Sequence, residues 1–106
     1  MEKEAVTFSH TEGRLVARIF GEIDHHTARP IREKIDKEAF LTRPRVLVID
    51  LSGVGFMDSS GIALILGRVE VAGELGGVVQ IVGSNPQVKK LIRLSGIERL
   101  SGLTVS

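Results

Sequence analysis

The chain has 106 residues, with 14 Lys and Arg against 13 Asp and Glu and a formal charge of +1, which suits one domain with a single modest core. Apolar residues make up 42% and charged residues 25%, globular values that argue against disorder. There is no basic run and only 4% aromatic residues, so the backbone-neutralising charge and the stacking surface that nucleic acids need are both missing.

Cysteine is absent, which removes disulfides and thiol catalysis. The start, Met1-Glu2-Lys3-Glu4, is charged rather than apolar, and no run approaches the ~18 apolar residues of a membrane helix. The expectation is a soluble cytoplasmic protein with no membrane partner.

In chain order, a hairpin comes first. Ala5–Ser9 and Leu15–Phe20 read as strands joined by the turn-prone His10-Thr11-Glu12-Gly13. Leu15, Ala17 and Ile19 alternate with Arg14, Val16 and Arg18, so one face is buried and the other mixed. Gly21 is expected to end the second strand, and the turn Glu22–Thr27 then carries two acids and two histidines. A helix follows with Ala28, Ile31, Ile35 and Ala39 inward. Thr27 is the expected N-cap, because Pro30 then falls in the first turn, where a missing N–H costs little.

Arg43-Pro44 stops that helix, and Arg45–Leu51, a run of aliphatic and β-branched residues, reads as a strand buried on both faces. Beyond Ser59 and Ser60 the apolar period changes to Ile62, Ile65, Leu66 and Val69, one stripe of a helix. Gly73 and Gly76-Gly77 close that helix, and Val78–Val82 reads as another buried strand. Asn85-Pro86 is a cap followed by proline at the first helical position, and Gly96 is a stop. A last short strand spans Leu103–Val105. Strands alternating with helices imply parallel pairings joined by right-handed crossovers, after an antiparallel start.

The joint between the central strand and the next helix holds Asp58, Ser59 and Ser60, all good N-cap types. At about 100° per residue, Ser60, Leu64, Gly67 and Val71 fall opposite the apolar stripe. Such a face is either a small docking surface or is covered by another helix, and the sequence leaves both open. A nucleophile elbow would need glycine where Met57 stands, and no general base is identifiable. Asp24, His25, His26 and His10 lack the spacing of a metal site. Gly53-Val54-Gly55 has Asp58 where a dinucleotide loop places its third glycine. No cofactor, no metal and no catalytic residue is therefore expected.

Three ordered segments carry a family resemblance. Phe56-Met57-Asp58-Ser59-Ser60-Gly61 followed by Ile65-Leu66-Gly67-Arg68 resembles the phosphorylation motif of bacterial anti-sigma factor antagonists of the STAS-domain family. Gly21-Glu22-Ile23-Asp24-His25-His26-Thr27-Ala28 and Val88–Leu91 through Leu94-Ser95-Gly96 resemble the same family. The resemblance implies an α/β fold over residues 1–106: a small mixed β-sheet of four to five strands with helices packed on one side, an N-terminal hairpin and then alternating strand and helix. Family members usually continue into a further C-terminal helix, whereas this sequence ends at Ser106. On that pattern either the element is missing or Ile97–Ser106 takes its place.

The resemblance also implies the function. Unphosphorylated, the protein would bind an anti-sigma factor that is also a serine kinase and so free the sigma factor. The kinase, which itself binds ATP, would phosphorylate Ser59 and switch the protein off, and a phosphoserine phosphatase would restore it. Ser59 is preferred to Ser60 on the motif match alone. Asp58, Ser60, Gly61 and Leu64 would line the partner surface, with Glu22, Asp24 and His25 as its polar half. Arg68 is expected to lie along the helix, solvated or salt-bridged. Two other readings stand beside this one: a regulatory module docking on a transporter or stress-sensing assembly, and a small serine hydrolase with a pocket next to Ser59.

Overall fold

The computed structural model describes residues 4–106, so Met1–Lys3 of the charged start lie outside the described residues. Five strands form one sheet in the order β1-β2-β3-β4-β5: β1 Val6–Thr11, β2 Arg14–Ile23, β3 Val46–Met57, β4 Val78–Val82 and β5 Leu103–Val105. Three helices connect them: α1 Ala28–Thr42, α2 Ser59–Glu74 and α3 Pro86–Ser95, with a 3₁₀ turn at Ile97–Arg99. β1 and β2 are antiparallel, and every later pair is parallel. Successive crossovers step across the sheet in one direction, so right-handed connections put the helices on one face.

That face holds the core. Leu15, Ala17 and Ile19 of β2 stand beside Leu47 and Ile49 of β3, which stand beside Val79 and Ile81 of β4, and all are buried. Ile31, Ile35 and Ala39 of α1 and Leu64, Ile65 and Ala72 of α2 pack onto them. α3 follows its punctuation residue by residue. Asn85 caps it through a bond from Val88 N at 2.8 Å, Pro86 is its first residue, and Gly96 at φ 80° ends it.

Three expectations change. The hairpin loop is only Glu12-Gly13, because His10 and Thr11 still pair with Leu15 and Arg14. β2 does not end at Gly21, and β3 does not end at Leu51. The two continue side by side to Ile23 and Met57 through register shifts around Phe20 and Gly21. Two glycines permit this: Gly21 takes φ 93°, and a Cβ at Gly53 would approach the Ile19 carbonyl oxygen to 2.8 Å.

The third change concerns cover. β3 read as buried on both faces, but no helix among the described residues lies over its second face. Arg18 Nε stands 3.8 Å from Asp50 Oδ2 and Arg14 Nη2 reaches Gln80 Oε1 at 3.1 Å across that open side. Only Val48 is sealed there, at 3% exposure.

Candidate functional site

Ile23 pairs with Met57, so the chain leaves β2 and β3 at one edge of the sheet with Asp24 and Asp58 following adjacent strand ends. This is the carboxyl end of a parallel pair, where α/β sheets place their sites. Asp58 N donates to the Ile23 carbonyl at 3.1 Å, tying the two exits together. The structure brings Glu22–His25 and Asp58–Leu64 into one place.

Each exit carries its own capping device. At α2, Asp58 is extended and its Oδ1 accepts from Ser60 N at 2.7 Å. One orphan donor of the first turn is satisfied by the aspartate, so the choice among three capping candidates is settled. Neither serine hydroxyl makes a hydrogen bond among the described residues; Ser59 is exposed and Ser60 is half-buried. Gly61 has no room for a side chain, because an added Cβ would collide with Met57 Cγ and Sδ. Met57 can therefore lie across the first turn and seal the core beneath the serines.

At α1, Thr27 occupies the N-cap position but its hydroxyl does not cap. Instead, Thr27 Oγ1 accepts from Asp24 N at 3.0 Å and donates to the Glu22 carbonyl at 2.8 Å. Asp24 Oδ1 accepts from His26 N at 2.9 Å and Thr27 N at 3.0 Å. The aspartate organises the turn in front of the helix while Pro30 stays in its first turn. These backbone bonds to Thr27 and His26 hold the Asp24 carboxyl below the usual carboxylate range. The rings of His25 and His26 lie against each other with centroids 3.9 Å apart. Among the described residues no three His, Asp or Glu side chains converge on a point that would hold a metal.

The face opposite the apolar stripe is covered by a helix rather than open. Leu64 is 4% exposed, covered from the α1 side, and so is not a solvent-facing residue. It forms part of the floor of a shallow cleft of about 240 Å³ with His25, Ala28, Arg29, Arg32, Ser60 and Ala63. Arg68 is not solvated either: at 4% exposure it is the buried charged residue among those described, with Nε 2.9 Å from Asp36 Oδ1 of α1. Burial pushes the Asp36 carboxyl up, opposed by the charges of Arg68 and Arg32. Burial likewise pushes the Arg68 guanidinium down, opposed by Asp36.

With Leu64 and Arg68 turned inward, the exposed side of α2 carries Ser59, Ala63, Leu66 and Glu70. Leu66 is 41% exposed and Phe56, at the end of β3, is 50% exposed. Sequence reasoning missed Phe56 and Leu66 as surface residues and Arg29 and Arg32 as neighbours of Ser60. An arginine phased with Leu64 and opposite an aspartate on the preceding helix was the available signal.

A model of the STAS domain matches residues 5–105. An anti-sigma F factor antagonist of Paenibacillus polymyxa is 34% identical over 95 residues, covering 90% of this chain and 81% of that protein. One from Lysinibacillus sphaericus is 36% identical over 87 residues, covering 82% of this chain and 74% of that protein. Among solved structures, the anti-sigma factor antagonist SpoIIAA in its unphosphorylated form superposes with a TM-score of 0.71 at 28% identity, covering 96% of this chain and 87% of that one. SpoIIAA of Bacillus in its phosphorylated form gives 0.71 at 29% identity, covering 96% and 91%.

Proposed function

The chain belongs to the STAS-domain family, and we propose that it works there as an anti-sigma factor antagonist switched by phosphorylation of Ser59. Members of this kind regulate by binding, and the site here contains an acceptor rather than catalytic machinery. In the proposed step the Ser59 hydroxyl oxygen takes the γ-phosphoryl group of ATP held by the anti-sigma factor kinase. ADP leaves, and the hydroxyl proton passes to the kinase. A phosphoserine phosphatase reverses the modification. Such partners put the protein in the cytoplasm, and no helix among the described residues is long and apolar enough to cross a membrane.

The observation that carries this reading is the division of labour at α2. Asp58 supplies the cap through its bond from Ser60 N, which leaves the exposed Ser59 hydroxyl free for a kinase. The hydroxyl stands at a helix N-terminus, whose dipole and N–H groups tolerate added negative charge in the free protein. At an interface the balance reverses. A phosphate of about −1.5 to −2 charges must lose water beside Asp58 and the Glu22–Asp24 turn. A cost of ~3 kcal/mol weakens binding roughly a hundredfold.

The partner surface that follows has an apolar half made by Ala63, Leu66 and Phe56 around Ser59, and a polar half made by Glu22, Asp24, His25 and Asp58. Ser60 lies at its edge. Gly61 and Leu64 act from beneath, Gly61 by admitting Met57 and Leu64 by holding α2 on α1. Intact-mass and peptide mass spectrometry after incubation with ATP and the cognate kinase tests the reading. One phosphate on Ser59, with loss of the complex, is the expected result; a phosphate on another residue, or none, overturns it.

A further inference from the structure

The cleft between α1 and α2 is walled by two arginines, Arg29 and Arg32, that the switch itself does not use. Arg29, Arg32 and His25 line it from the α1 side, the Ser60 hydroxyl opens onto it, and Ala28, Ala63 and Leu64 complete it. Arg29 is engaged by Glu33 through Nε at 3.1 Å, which leaves its terminal guanidinium nitrogens for a second acceptor. Among the described residues no carboxylate lies within 4 Å of Arg32. Farther along the same seam Arg68 takes Asp36, whose carboxyl also feels the charge of Arg32, so three arginines face two carboxylates and the seam carries one positive charge in excess.

Across the site the sign is opposite, with Glu22, Asp24 and Asp58 at the two strand exits. The surface around Ser59 is therefore bipolar, and a complementary partner must carry the reverse pattern. We propose that the α1–α2 cleft is a specificity site that receives an Asp or Glu side chain of the anti-sigma factor, gripped by Arg29 and Arg32 while the acidic exits face a basic group of the same partner. This rests on the antagonist reading and adds to it the chemistry of the partner's contact.

The choice of a partner carboxylate over a free anion follows from exposure. Arg29 and Arg32 are solvent-exposed, and exposed ion pairs contribute only ~0.2–1 kcal/mol, too little to hold a dissolved anion. When a docked partner excludes water from the cleft, the same guanidinium groups offer directional, paired donors to a carboxylate. Continuity with the Ser59 surface supplies that cover, and the fixed order of signs sets one docking orientation.

The test is the affinity for the cognate anti-sigma factor, with its dependence on salt, for the parent chain, an Arg29→Gln/Arg32→Gln double variant and an Arg29→Glu/Arg32→Glu double variant. The neutral pair is expected to weaken binding about tenfold and the reversed pair about a hundredfold, with flatter salt dependence and unchanged melting. An Asp→Lys or Glu→Lys change at the matching partner position should restore the reversed variant. Parent-like affinity and salt dependence in both variants overturn the inference while leaving the antagonist reading intact. Stabilisation of the parent by millimolar inorganic phosphate, absent in the neutral variant, also overturns it by assigning the cleft to a free anion. Failure of the parent itself to bind removes the antagonist reading, and the inference with it.

Discussion

The two ends of the α1–α2 seam handle charge in opposite ways. At the upper end Asp58, Ser59, Arg29 and Arg32 keep their polar atoms near water, and the bonds that shape the end run to backbone N–H groups. Two turns down α2, Arg68 is buried in an ion pair with Asp36 at 2.9 Å, with Nε, Nη1 and Asp36 Oδ1 all lacking a hydrogen-bond partner among the described residues. A new charge at the upper end costs the fold little and can be spent on a partner; at the lower end it has nowhere to go. The same helix thus separates the part that can be switched from the part that must stay fixed.

The largest expected effect comes from breaking the lower end. Asp36→Ala leaves the Arg68 guanidinium buried without its counter-charge, and such a loss costs about 3–5 kcal/mol. For a domain of this size that corresponds to a fall in Tm of ~10–20 °C or more, read by thermal unfolding. An Asp36→Leu/Arg68→Met double variant should regain most of that loss, because a packed apolar pair of similar volume often replaces a buried ion pair without penalty. If Asp36→Ala melts like the parent, the seam is hydrated and the contrast between the two ends disappears.

The next effect belongs to the upper end and to binding rather than stability. Ser59→Asp should melt within ~0.5 kcal/mol of the parent, as a surface change does. It should bind the anti-sigma factor roughly a hundredfold more weakly. Ser59→Ala should fold, resist phosphorylation and keep the complex. Calorimetry for affinity and circular dichroism for melting separate the two readouts, and a Ser59→Asp variant with full affinity sinks the electrostatic mechanism.

Most of the fold was legible because its punctuation is local. Asn85-Pro86 and Gly96 fixed both ends of α3, and the alternation in Leu15–Ile19 identified the buried face of β2. What escaped was governed by partners distant in sequence. Gly21 looks like a strand breaker until the neighbouring strand is known to pass close by. Arg68 reads as either solvated or salt-bridged until Asp36 is placed opposite it. The apolar stripe of Ile62, Ile65, Leu66 and Val69 sent Leu66 inward, whereas Leu66 is exposed and Leu64 is the residue covered; the motif around Ser59 was unaffected because it lies at the helix end, where the wheel has no say.

A smaller effect tests the packing that joins the two ends. Gly61→Ala should force Met57 out of its position across the first turn of α2, since the added Cβ overlaps Met57 Cγ and Sδ. Overpacking of this kind costs about 1–3 kcal/mol. Replacing Met57 with a smaller apolar residue in the same chain should recover part of that loss, measured by denaturant unfolding. A Gly61→Ala chain as stable as the parent would mean that Met57 has a second low-energy position.

The smallest effect is a pH dependence at Asp24. Its carboxylate accepts from Thr27 N and His26 N, which lowers its pKa from the ordinary value of 3.8. A depressed native pKa means that the unfolded chain binds the proton more readily, so the contribution of this group to stability is present above 3.8 and is lost as pH falls through the depressed native value. Asp24→Asn keeps an oxygen that can accept from both amides but removes the charge. The stability difference between parent and variant should therefore shrink as pH falls below 3.8 and vanish in stronger acid. Asp36 titrates in both chains and cancels from the difference. A difference that stays constant with pH would show that Asp24 organises its turn by shape alone, and that the acidic exit owes nothing to the ionised state it presents to a partner.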